Sequence, residues 1–584
     1  MAQPAPVRPA LSAEQLARLH RALAEWHPRY DPVDRMIRRP FSSPGYHTTL
    51  KGGQVHPTRE SLEYAVALLD TGDPELLRRA EAILQRVIGL QDQNPASKTY
   101  GIWPWFLEEP LDRMSPPDWN WADFCGVQLL QVALDHRNRL SPEVAALVDT
   151  AIRHAARSIQ RRNVGPRYTN IAIMGAYVTL VTAEVYGLED LRAYATNRWR
   201  AFYTYTMQTG AFAEYNSPTY TVVALKELAR MRQHVRDPEM RRLAEEVYRL
   251  AWEEIAQHFH PPTRQWAGPH SRAYRTLLPV ETLAWIQRST EGRVQLVPGE
   301  PAPTLDEHRL PTPCRREFEP LFSRLETPRQ VVKTFVQGDP PVVGTTFLHP
   351  RFALGSVNRG DLWNQRRALL AYWGTADRPS YLHLRCLHDG YDFAAAQFFS
   401  VQQAGHVLAG INFATDGGDR HVSLDRIRDA TTSARDIRLR FEFGGAAGRS
   451  AFAVPASLSE PVALQFGDVR LQLLVPYANW GGVTGHWEAG RDSAKQIAWV
   501  DVVLYSGPET AIRLDQLAQA AAGLVVSLGD ADRAAPAVQA TVQSQRLHLS
   551  LQAPDLRLSL PIRPAKAALL HKSAVFTGGR PPRG

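Results

Sequence analysis

Four polar, aromatic-rich segments recur about every fifty residues in the first half of the chain, each directly before an apolar run with helical spacing. They begin at Pro116, Arg167, Glu214 and Gly268, and each combines Trp or Tyr with Asn, His, Arg or a carboxylate. About fifty residues accommodate two helices and two short connections. A repeat of helical hairpins returns the chain to the same end of the molecule, so the four segments are predicted to line one cleft.

The spacing of apolar residues predicts that residues 1–290 are helical. Ala224, Leu225, Leu228 and Met231 follow the three-and-four spacing of a helix, and Ser12 is predicted to cap the first helix. The helices that follow the four segments are apolar, and they alternate with more highly charged helices. Apolar inner helices and amphipathic outer helices are typical of an incomplete α/α toroid.

The pattern changes after residue 290. Residues 291–330 are rich in proline, which predicts a stiff linker. From residue 331 to 575 the apolar residues alternate, as in Ile437, Leu439, Phe441 and Phe443, and Gly-rich turns separate the runs. Short strands without intervening helices predict an antiparallel β-sandwich, so the fold class is multidomain α+β. Residues 576–584 are predicted to be a disordered tail.

Charge and composition exclude several functional classes. The formal net charge of +8 over 584 residues is compatible with an anionic ligand, yet the sequence has no dense Lys/Arg run and no nucleic-acid-binding motif. The three cysteines are far apart and form neither a metal-type spacing nor a disulfide framework. No secretory signal and no apolar stretch of about 18 residues is found, which predicts a cytoplasmic protein without a membrane span. We expect no metal and no cofactor, and the sequence assigns no oligomeric state.

Helical hairpins followed by a large antiparallel sandwich, with Asn170, Tyr215, Tyr220, His270 and Arg272 on successive repeats, resemble the heparinase II/III-like, chondroitin/hyaluronate and alginate lyases. The resemblance implies a lyase that cleaves an acidic, uronate-containing glycan by β-elimination. It implies that Asn170 neutralises the uronate carboxylate and that Tyr215 or Tyr220 is the catalytic tyrosine. The sequence departs from those families in that no His directly follows Asn170 or stands beside Tyr215.

The chemistry of β-elimination suggests a role for each of these residues. The reaction needs a neutralised carboxylate, a base for the C5 proton and an acid for the leaving O4. Asn170 and Arg272 are the candidates for neutralisation. His270 is the candidate base because its ordinary pKa lies near neutrality, and Tyr215 or Tyr220 is the candidate acid. A single tyrosine could also do both tasks if a cation such as Arg272 lowers its pKa.

Each of these residues also has a structural interpretation. Asn170 could cap a helix, Tyr220 could be a core aromatic residue, His270 could be a turn residue, and Arg272 could pair with Glu214 or Glu281. Aromatic, amide and charged side chains that suit sugar rings complete the predicted substrate-binding set, namely Trp103, Trp105, Glu108, Asp118, Trp119, Trp121, Glu214, Asn216, Tyr274, Asn358, Arg359 and Trp363.

Two alternative functions follow from the same residues. Glu214 and Asp118 could form the carboxylate pair of an inverting glycoside hydrolase with this architecture, which requires carboxyl groups about 6.5–9.5 Å apart. A glycan-binding protein without catalytic activity would use the same aromatic residues.

Overall fold

The structure of the protein is a computed structural model that describes residues 11–43, 47–299, 302–418, 427–532 and 536–578. The chain divides into two compact units, and both are built from separate stretches of sequence. The first unit comprises Met1–Gln208, Val222–Arg249 and Pro298–Pro313, and the second comprises Thr209–Thr221, Leu250–Val297 and Cys314–Gly584.

Helices dominate the described part of the first unit, and three of them have residues in both units. Within the described residues they are α1 (Ala13–Ala24), α2 (Thr58–Thr71), α3 (Pro74–Ile88), α4 (Trp121–Asp135), α5 (Pro142–Arg162), α6 (Thr169–Tyr186), α7 (Glu189–Thr209), α8 (Tyr220–His234) and α9 (Pro238–His258). Ser12 caps α1 through the backbone N–H of Gln15, as predicted, and the Gln15 side chain accepts from the Ser12 N–H in return.

The helices of the first unit form two layers. Helix α4 contacts α2 and α6, and α5 contacts α3 and α6. The side chain of Arg230 on α8 donates to Gln131 on α4, whereas Trp199 on α7 donates to a carbonyl of α9. Helices α2, α4, α6 and α8 therefore form one layer, and α3, α5, α7 and α9 form the other.

Burial distinguishes the two layers. In α6 every residue from 169 to 183 is buried, and none of these residues is charged. In α5 only one stripe is buried, at positions such as Val144, Val148 and Ile152. An all-round apolar helix belongs to an inner layer and an amphipathic one to an outer layer. This is the hairpin arrangement of an α/α toroid, which the alternation of apolar and charged helices predicted.

Four short strands lie in the first unit, before α2. They are β1 (Tyr30–Asp31), β2 (Met36–Ile37), β3 (Arg39–Ser42) and β4 (Gly52–Val55). Strands β1 and β2 form one antiparallel ribbon, and β3 and β4 form another.

Besides its residues of α7, α8 and α9, the described part of the second unit forms three short helices and the remaining strands. The helices are α10 (Val280–Ser289), α11 (Pro320–Ser323) and α12 (Ala567–Ser573). The strands are β5 (Phe259–His260), β6 (Gln265–Trp266), β7 (Arg329–Val336), β8 (Val342–His349), β9 (Phe352–Val357), β10 (Arg359–Asp361), β11 (Leu369–Gly374), β12 (Pro379–His388), β13 (Tyr391–Asp392), β14 (Ala396–Gln403), β15 (His406–Phe413), β16 (Thr431–Gly445), β17 (Val462–Phe466), β18 (Val469–Trp480), β19 (Val483–Thr484), β20 (His486–Asp492), β21 (Ile497–Arg513), β22 (Ala520–Asp530), β23 (Val538–Gln543), β24 (Arg546–Leu551), β25 (Leu556–Pro561) and β26 (Val575–Thr577).

Two large antiparallel sheets pack face to face in this unit. The first has the order β20-β21-β16-β12-β11-β9-β8-β7, with β13 beside β12, and the second has the order β10-β14-β15-β22-β18-β17, with β19 beside β18. Their inner faces share one apolar core, to which Phe441 on β16 and Ile411 on β15 contribute. The predicted antiparallel sandwich is confirmed.

A third layer covers the outer face of the second sheet. Strands β23-β24-β25-β26 form a four-stranded sheet. Leu549 and Leu558 from this sheet share an apolar cluster with Leu408 and Val525 of the sheet beneath. The sequence analysis did not predict this layer.

The predicted domain boundaries follow the change from helices to strands, whereas the compact units do not. Residues 291–330, interpreted as a linker, are divided between the units and are packed: Asp306 pairs with Lys226 in the first unit, and Phe322 packs on Trp252 in the second. The predicted tail begins inside β26, and residues 579–584 lie outside the described part of the chain. Among the residues that the structure describes, no helix is long and apolar enough to cross a membrane.

Candidate active site

Three segments of the second unit, residues 214–220, 268–274 and 363–367, are joined by backbone hydrogen bonds. The N–H and hydroxyl of Ser271 donate to the carbonyl of Tyr215, at 3.2 and 2.7 Å. The N–H of Ala273 donates to the carbonyl of Gln365 at 2.7 Å, and His270 and Arg367 exchange backbone hydrogen bonds. Two of the four segments singled out in the sequence are thus connected to a loop of the sandwich.

Asn216 holds the first of these segments in place. Its φ of 43° lies in the left-handed region, which Asn tolerates better than most residues. Its side-chain NH₂ donates to the carbonyls of Ala267 and Pro269, at 2.8 and 2.9 Å, and its Oδ1 accepts from the Trp266 indole. Because Asn216 is fully buried and bonded within the protein, it shapes the loop and does not bind a substrate, contrary to the prediction.

The segment at 268–274 lies directly against β9. A Cβ atom at Gly355 would stand 1.9 Å from the carbonyl oxygen of Gly268, and the Thr346 hydroxyl donates to the same oxygen at 2.6 Å. Only glycine permits so close an approach between the two backbones. This contact fixes the position of the residues that follow, including Arg272.

Ser217 connects the start of α8 to the loop that carries Arg272. Its hydroxyl donates to the Arg272 carbonyl at 2.6 Å and accepts from the Tyr220 N–H at 3.0 Å. The first bond ties the two segments together, and the second satisfies a backbone donor at the helix start, as Ser does in many helix caps. Tyr220 and Arg272 are therefore placed by the same hydroxyl group.

The Arg272 guanidinium lies between two aromatic rings and is held at its polar edges. Its central carbon is 4.3 Å from the centroid of Tyr220 and 5.2 Å from that of Trp363. Gln365 Oε1 accepts from Nε and Nη2 at 3.0 and 2.8 Å, and Glu214 Oε1 accepts from Nη1 at 3.1 Å. A guanidinium in this position can act by cation–π contact and by its positive charge.

The hydroxyl groups of Tyr220 and Tyr274 are 2.8 Å apart and share a hydrogen bond. Tyr274 is 58 % exposed, whereas Tyr220 is mostly buried, so the pair reaches from the interior to solvent. Burial raises the pKa of Tyr220 above its ordinary value, and the charge of Arg272 opposes this shift. Tyr220 is therefore protonated at neutral pH in the free protein.

Six side chains of the second unit form this arrangement, which we call the tyrosine–arginine cluster: Glu214, Tyr220, Arg272, Tyr274, Trp363 and Gln365. Five of the six were predicted site residues. Gln365 was not singled out, although the donor-rich loop around it was noted in the sequence. The sequence suggested Glu214 as an ion-pair partner of Arg272, and the structure has this pair.

Two of the predicted catalytic residues of the second unit lie in the interior. His270 is 2 % exposed, its Nδ1 donates to the Asn216 carbonyl at 2.6 Å, and burial lowers its pKa to about 3. Tyr215 is stacked on Phe335 with 4.2 Å between the ring centroids, and burial raises its pKa to about 12. Neither position is suited to contact a substrate, so the structure does not support His270 as the base or Tyr215 as the acid.

Asn170, the predicted carboxylate neutraliser, lies in the first unit near the start of α6. It is 2 % exposed, and its Oδ1 accepts no hydrogen bond from the described residues. Tyr168 occupies the N-cap position, so Asn170 is not the helix cap that the structural interpretation suggested. The neutralising role of Asn170 stays a prediction.

The aromatic residues of the first predicted segment are mainly structural. Trp103 is fully buried and donates to the Val87 carbonyl at 3.0 Å, and Trp119 donates to the Lys98 carbonyl at 3.2 Å. Trp105 and Trp121 stack on each other with 5.0 Å between centroids. The stacked pair is only partly buried and keeps its predicted role as a sugar platform, whereas fully buried Trp103 cannot contact a sugar.

Asp118 and Glu108 are also engaged within the first unit. Asp118 is 6 % exposed, and its two oxygens accept from the Asn120 N–H and the Trp105 indole. The bond to the Asn120 N–H forms a turn directly before α4, and the two bonds together leave Asp118 poorly placed as a hydrolytic carboxylate. Both oxygens of Glu108 contact His56, which does not fit the predicted contact with substrate.

The side chains of Asn358 and Arg359 contact other parts of the second unit. The Asn358 side chain accepts from the Val343 N–H and donates to the Pro341 carbonyl. Arg359 is 5 % exposed, donates to the His571 carbonyl at 2.6 Å and lies over the Phe576 ring. Both side chains are engaged in contacts within the second unit, and their substrate-binding roles stay predictions.

A cationic cavity of about 780 Å³ was not predicted from the sequence. Its lining includes Arg275, the residue that follows Tyr274, together with Arg378, Arg449 and Lys495. One carboxylate, that of Asp377, also lines it. The four cationic residues come from four separate parts of the second unit and are dispersed in sequence, so no local pattern could have identified the cavity.

In sequence, part of the chain is similar to one protein family. Residues 42–279 match the family model of a domain of unknown function, DUF8769. No curated protein matches the chain in sequence.

The fold is similar to that of several solved structures. For the Streptomyces coelicolor A3 chondroitin AC lyase in complex with chondroitin sulphate, identity is 12 %, coverage is 95 % of this chain and 86 % of that chain, and the TM-score is 0.49. For heparinase III, identity is 12 %, coverage is 94 % of this chain and 91 % of that chain, and the TM-score is 0.46. For the heparan sulfate lyase HepC from Pedobacter heparinus, identity is 9 %, coverage is 87 % of this chain and 82 % of that chain, and the TM-score is 0.35. At these values the similarity assigns no residue and no activity to this chain.

Proposed function

We propose that this protein is a lyase that cleaves an acidic, uronate-containing poly- or oligosaccharide by β-elimination, with the tyrosine–arginine cluster as its proton-transfer centre. The observation that carries the proposal is the Tyr220–Tyr274 hydroxyl pair with the Arg272 guanidinium 4.3 Å from the Tyr220 ring centroid. The hydroxyl of a partly buried tyrosine, bonded to that of an exposed one, provides a path for a proton between a substrate and solvent.

The reaction requires one proton to be removed and one to be returned. The ionised tyrosine pair takes the proton from C5 of the uronate, the C4–O4 bond breaks with its electrons going to O4, and a C4–C5 double bond forms. The pair then gives its proton to O4. A positive charge next to a phenolate favours ionisation, and Arg272 supplies that charge. Arg272, which the sequence also suggested for this role, is the candidate in the second unit for neutralising the uronate carboxylate.

The charges around the site support an anionic substrate. Four cationic side chains line the cavity that begins next to Tyr274, and the pairing partner of Arg272 in the free protein is a carboxylate, Glu214. Clefts lined by one sign of charge attract ligands of the opposite sign. Because the cavity adjoins Tyr274 along the chain, an acidic glycan could extend from the cluster into it.

The alternative inverting hydrolase has less support. It needs Glu214 and Asp118 to be free for acid–base chemistry, whereas Glu214 is bonded to Arg272 and both oxygens of Asp118 accept hydrogen bonds from the protein. The buried position of Asp118 also separates it from solvent.

The test is to incubate the full-length protein with glucuronan, alginate, heparan sulfate, chondroitin sulfate, hyaluronan and pectin and to follow ultraviolet absorbance and reducing ends together. A lyase product carries a conjugated double bond and absorbs, while a hydrolysis product does not. We expect kcat of Tyr220→Phe to fall by a factor of about 10² to 10⁴, the usual contribution of a positioned acid–base group. The control is Tyr505→Phe, which changes a partly buried tyrosine of β21.

Two results would contradict the proposal. Reducing ends without absorbance would show hydrolysis, and full activity of Tyr220→Phe would exclude the cluster as the proton-transfer centre. Because burial keeps Tyr220 protonated near neutrality, the lyase rate should also rise with pH above 7 as a larger fraction of Tyr220 ionises. A rate that falls over the same range would argue for another base.

A further inference from the structure

Three potential metal ligands of the first unit lie close together near the β1–β2 turn. They are Asp31 in β1, Asp34 in the turn and His56 after β4, and their ligand atoms all lie within 4.8 Å of one another. None of the three belongs to the tyrosine–arginine cluster, and no metal was expected from the sequence. They come together because β1 and β4 belong to neighbouring ribbons before α2.

The protonation of His56 can be assigned from its contacts. Its Nδ1 is 2.5 Å from Glu108 Oε1, and Glu108 Oε2 accepts from the His56 backbone N–H at 3.0 Å. The short contact places the proton on Nδ1. A metal-binding histidine usually donates its other ring N–H to a carboxylate in this way, which orients the ring and leaves Nε2 with its lone pair.

The Nε2 atom points between the two aspartates at a separation typical of shared metal ligands. It is 3.4 Å from Asp31 Oδ2 and 3.7 Å from Asp34 Oδ2. A charge-assisted hydrogen bond would bring such atoms to about 2.7–2.9 Å. Ligands about 2.0–2.2 Å from a tetrahedral metal are about 3.4 Å from each other. The His56 side chain is only 9 % exposed, so its Nε2 faces this space and not bulk water.

The two carboxylates are oriented for the same purpose. Asp31 Oδ1 accepts from the N–H groups of Val33 and Asp34, at 2.8 and 3.3 Å, so its Oδ2 faces His56. Asp34 Oδ1 is 3.4 Å from Arg86, and this again leaves Oδ2 on the side of His56.

From this geometry we propose that Asp31, Asp34 and His56 bind one divalent metal ion of the Zn²⁺ type, with Glu108 orienting His56. One imidazole and two carboxylates are a ligand set that Zn²⁺ uses, and three protein ligands leave a fourth position for water. The ion would join the β1–β2 turn to the segment before α2 and, through Glu108, to the loop before α4. Its role is to stabilise the first unit, independently of the proposed lyase activity.

The test uses the full-length chain without a polyhistidine tag, freed of metal with a chelator. Once Zn²⁺ is added back, we expect the protein to retain one Zn²⁺ per chain after gel filtration. It should also unfold at a higher temperature with Zn²⁺ than without. Asp34→Asn and His56→Ala should lose both effects. Glu108→Gln should still bind Zn²⁺, with an affinity that is lower by a factor of about 10 to 100.

The matched control is Asp112→Asn, which changes an exposed aspartate near Glu108 that has no ligand role. It should bind Zn²⁺ as the unchanged protein does. If His56→Ala fails to fold, the exposed-side variant Asp34→Asn decides the question. Failure of the unchanged protein to retain Zn²⁺, or equal retention by Asp34→Asn, would overturn the proposal.

Discussion

Asp123 in α4 provides a quantitative test of how burial determines the charge state in the first unit. Its side chain is 2 % exposed, and its Oδ1 accepts no hydrogen bond from the described residues. It fits against Gly175 of α6, where an added Cβ would lie 2.7 Å from Asp123 Oδ1. Burial raises the pKa of Asp123 from 3.8 to about 7, although Arg198 and Arg162 oppose the shift.

The effect on stability follows from this pKa. Below about pH 4 the carboxyl is protonated in both the folded and the unfolded protein, so its ionisation does not lower the free energy of unfolding. Between about pH 4 and 7 only the unfolded chain ionises, so the folded state loses relative stability. A shift of about three pKa units corresponds to about 4 kcal/mol at 1.36 kcal/mol per unit.

The substitution Asp123→Asn keeps the shape of the side chain and removes its titration. We expect the free energy of unfolding of the variant, relative to the unchanged protein, to rise by about 1.4 kcal/mol per pH unit between about pH 4 and 7 and to be constant above about pH 8. The difference in the free energy of unfolding between the variant and the unchanged protein should therefore be about 4 kcal/mol more in favour of the variant above neutrality than at pH 4.

Thermal unfolding of both proteins across this pH range measures the difference. For units of about 150–250 residues, 1 kcal/mol shifts the melting temperature by about 2–4 °C, so the pH-dependent part amounts to on the order of 10 °C. Asp112→Asn, at an exposed position, is the control for general effects of a removed carboxylate. A difference that does not change with pH, or that falls as pH rises, would refute the reasoning.

Three further substitutions test the site and the loops that carry it. Arg272→Lys keeps the charge but loses the two bonds to Gln365 and the planar contact with the aromatic rings, so lyase activity should fall at least about 10-fold while the melting temperature changes little. Gly355→Ala forces a Cβ against the Gly268 carbonyl and should destabilise the second unit by about 3 kcal/mol or more, seen in thermal unfolding, whereas Gly165→Ala meets open space and should not. Asn216→Ala leaves the carbonyls of Ala267 and Pro269 without their donor and should cost about 2–3 kcal/mol; an unchanged melting temperature would show that the loop is held by other contacts.

Much of the secondary structure could be predicted because it depends on short-range periodicity. Helix α1 has the predicted Ser12 cap, and the helical spacing of Ala224, Leu225, Leu228 and Met231 corresponds to α8. The alternating residues from Ile437 to Phe443 are all fully buried on one face of β16. In each case neighbouring residues report which side of the element is buried, so the sequence contains the whole signal.

The identity of the site residues was only partly predictable. Tyr220, Arg272 and Tyr274 meet as expected, whereas His270 and Asn216 come from the same two segments and point into the interior. Inside a loop no period determines which side chains face inward. That is decided by backbone bonds to distant residues, such as those of Asn216 to Ala267 and Pro269.

By itself the sequence determined the class of fold, because apolar periods of 3.6 and 2 specify helical hairpins and an antiparallel sandwich wherever they occur. Only the tertiary structure decided that a third sheet covers the sandwich, that Gln365 holds Arg272, and that His56 meets Asp31 and Asp34. Each of these contacts joins residues that are far apart in the chain. Such contacts depend on how whole elements pack, and no local pattern of residue types encodes them.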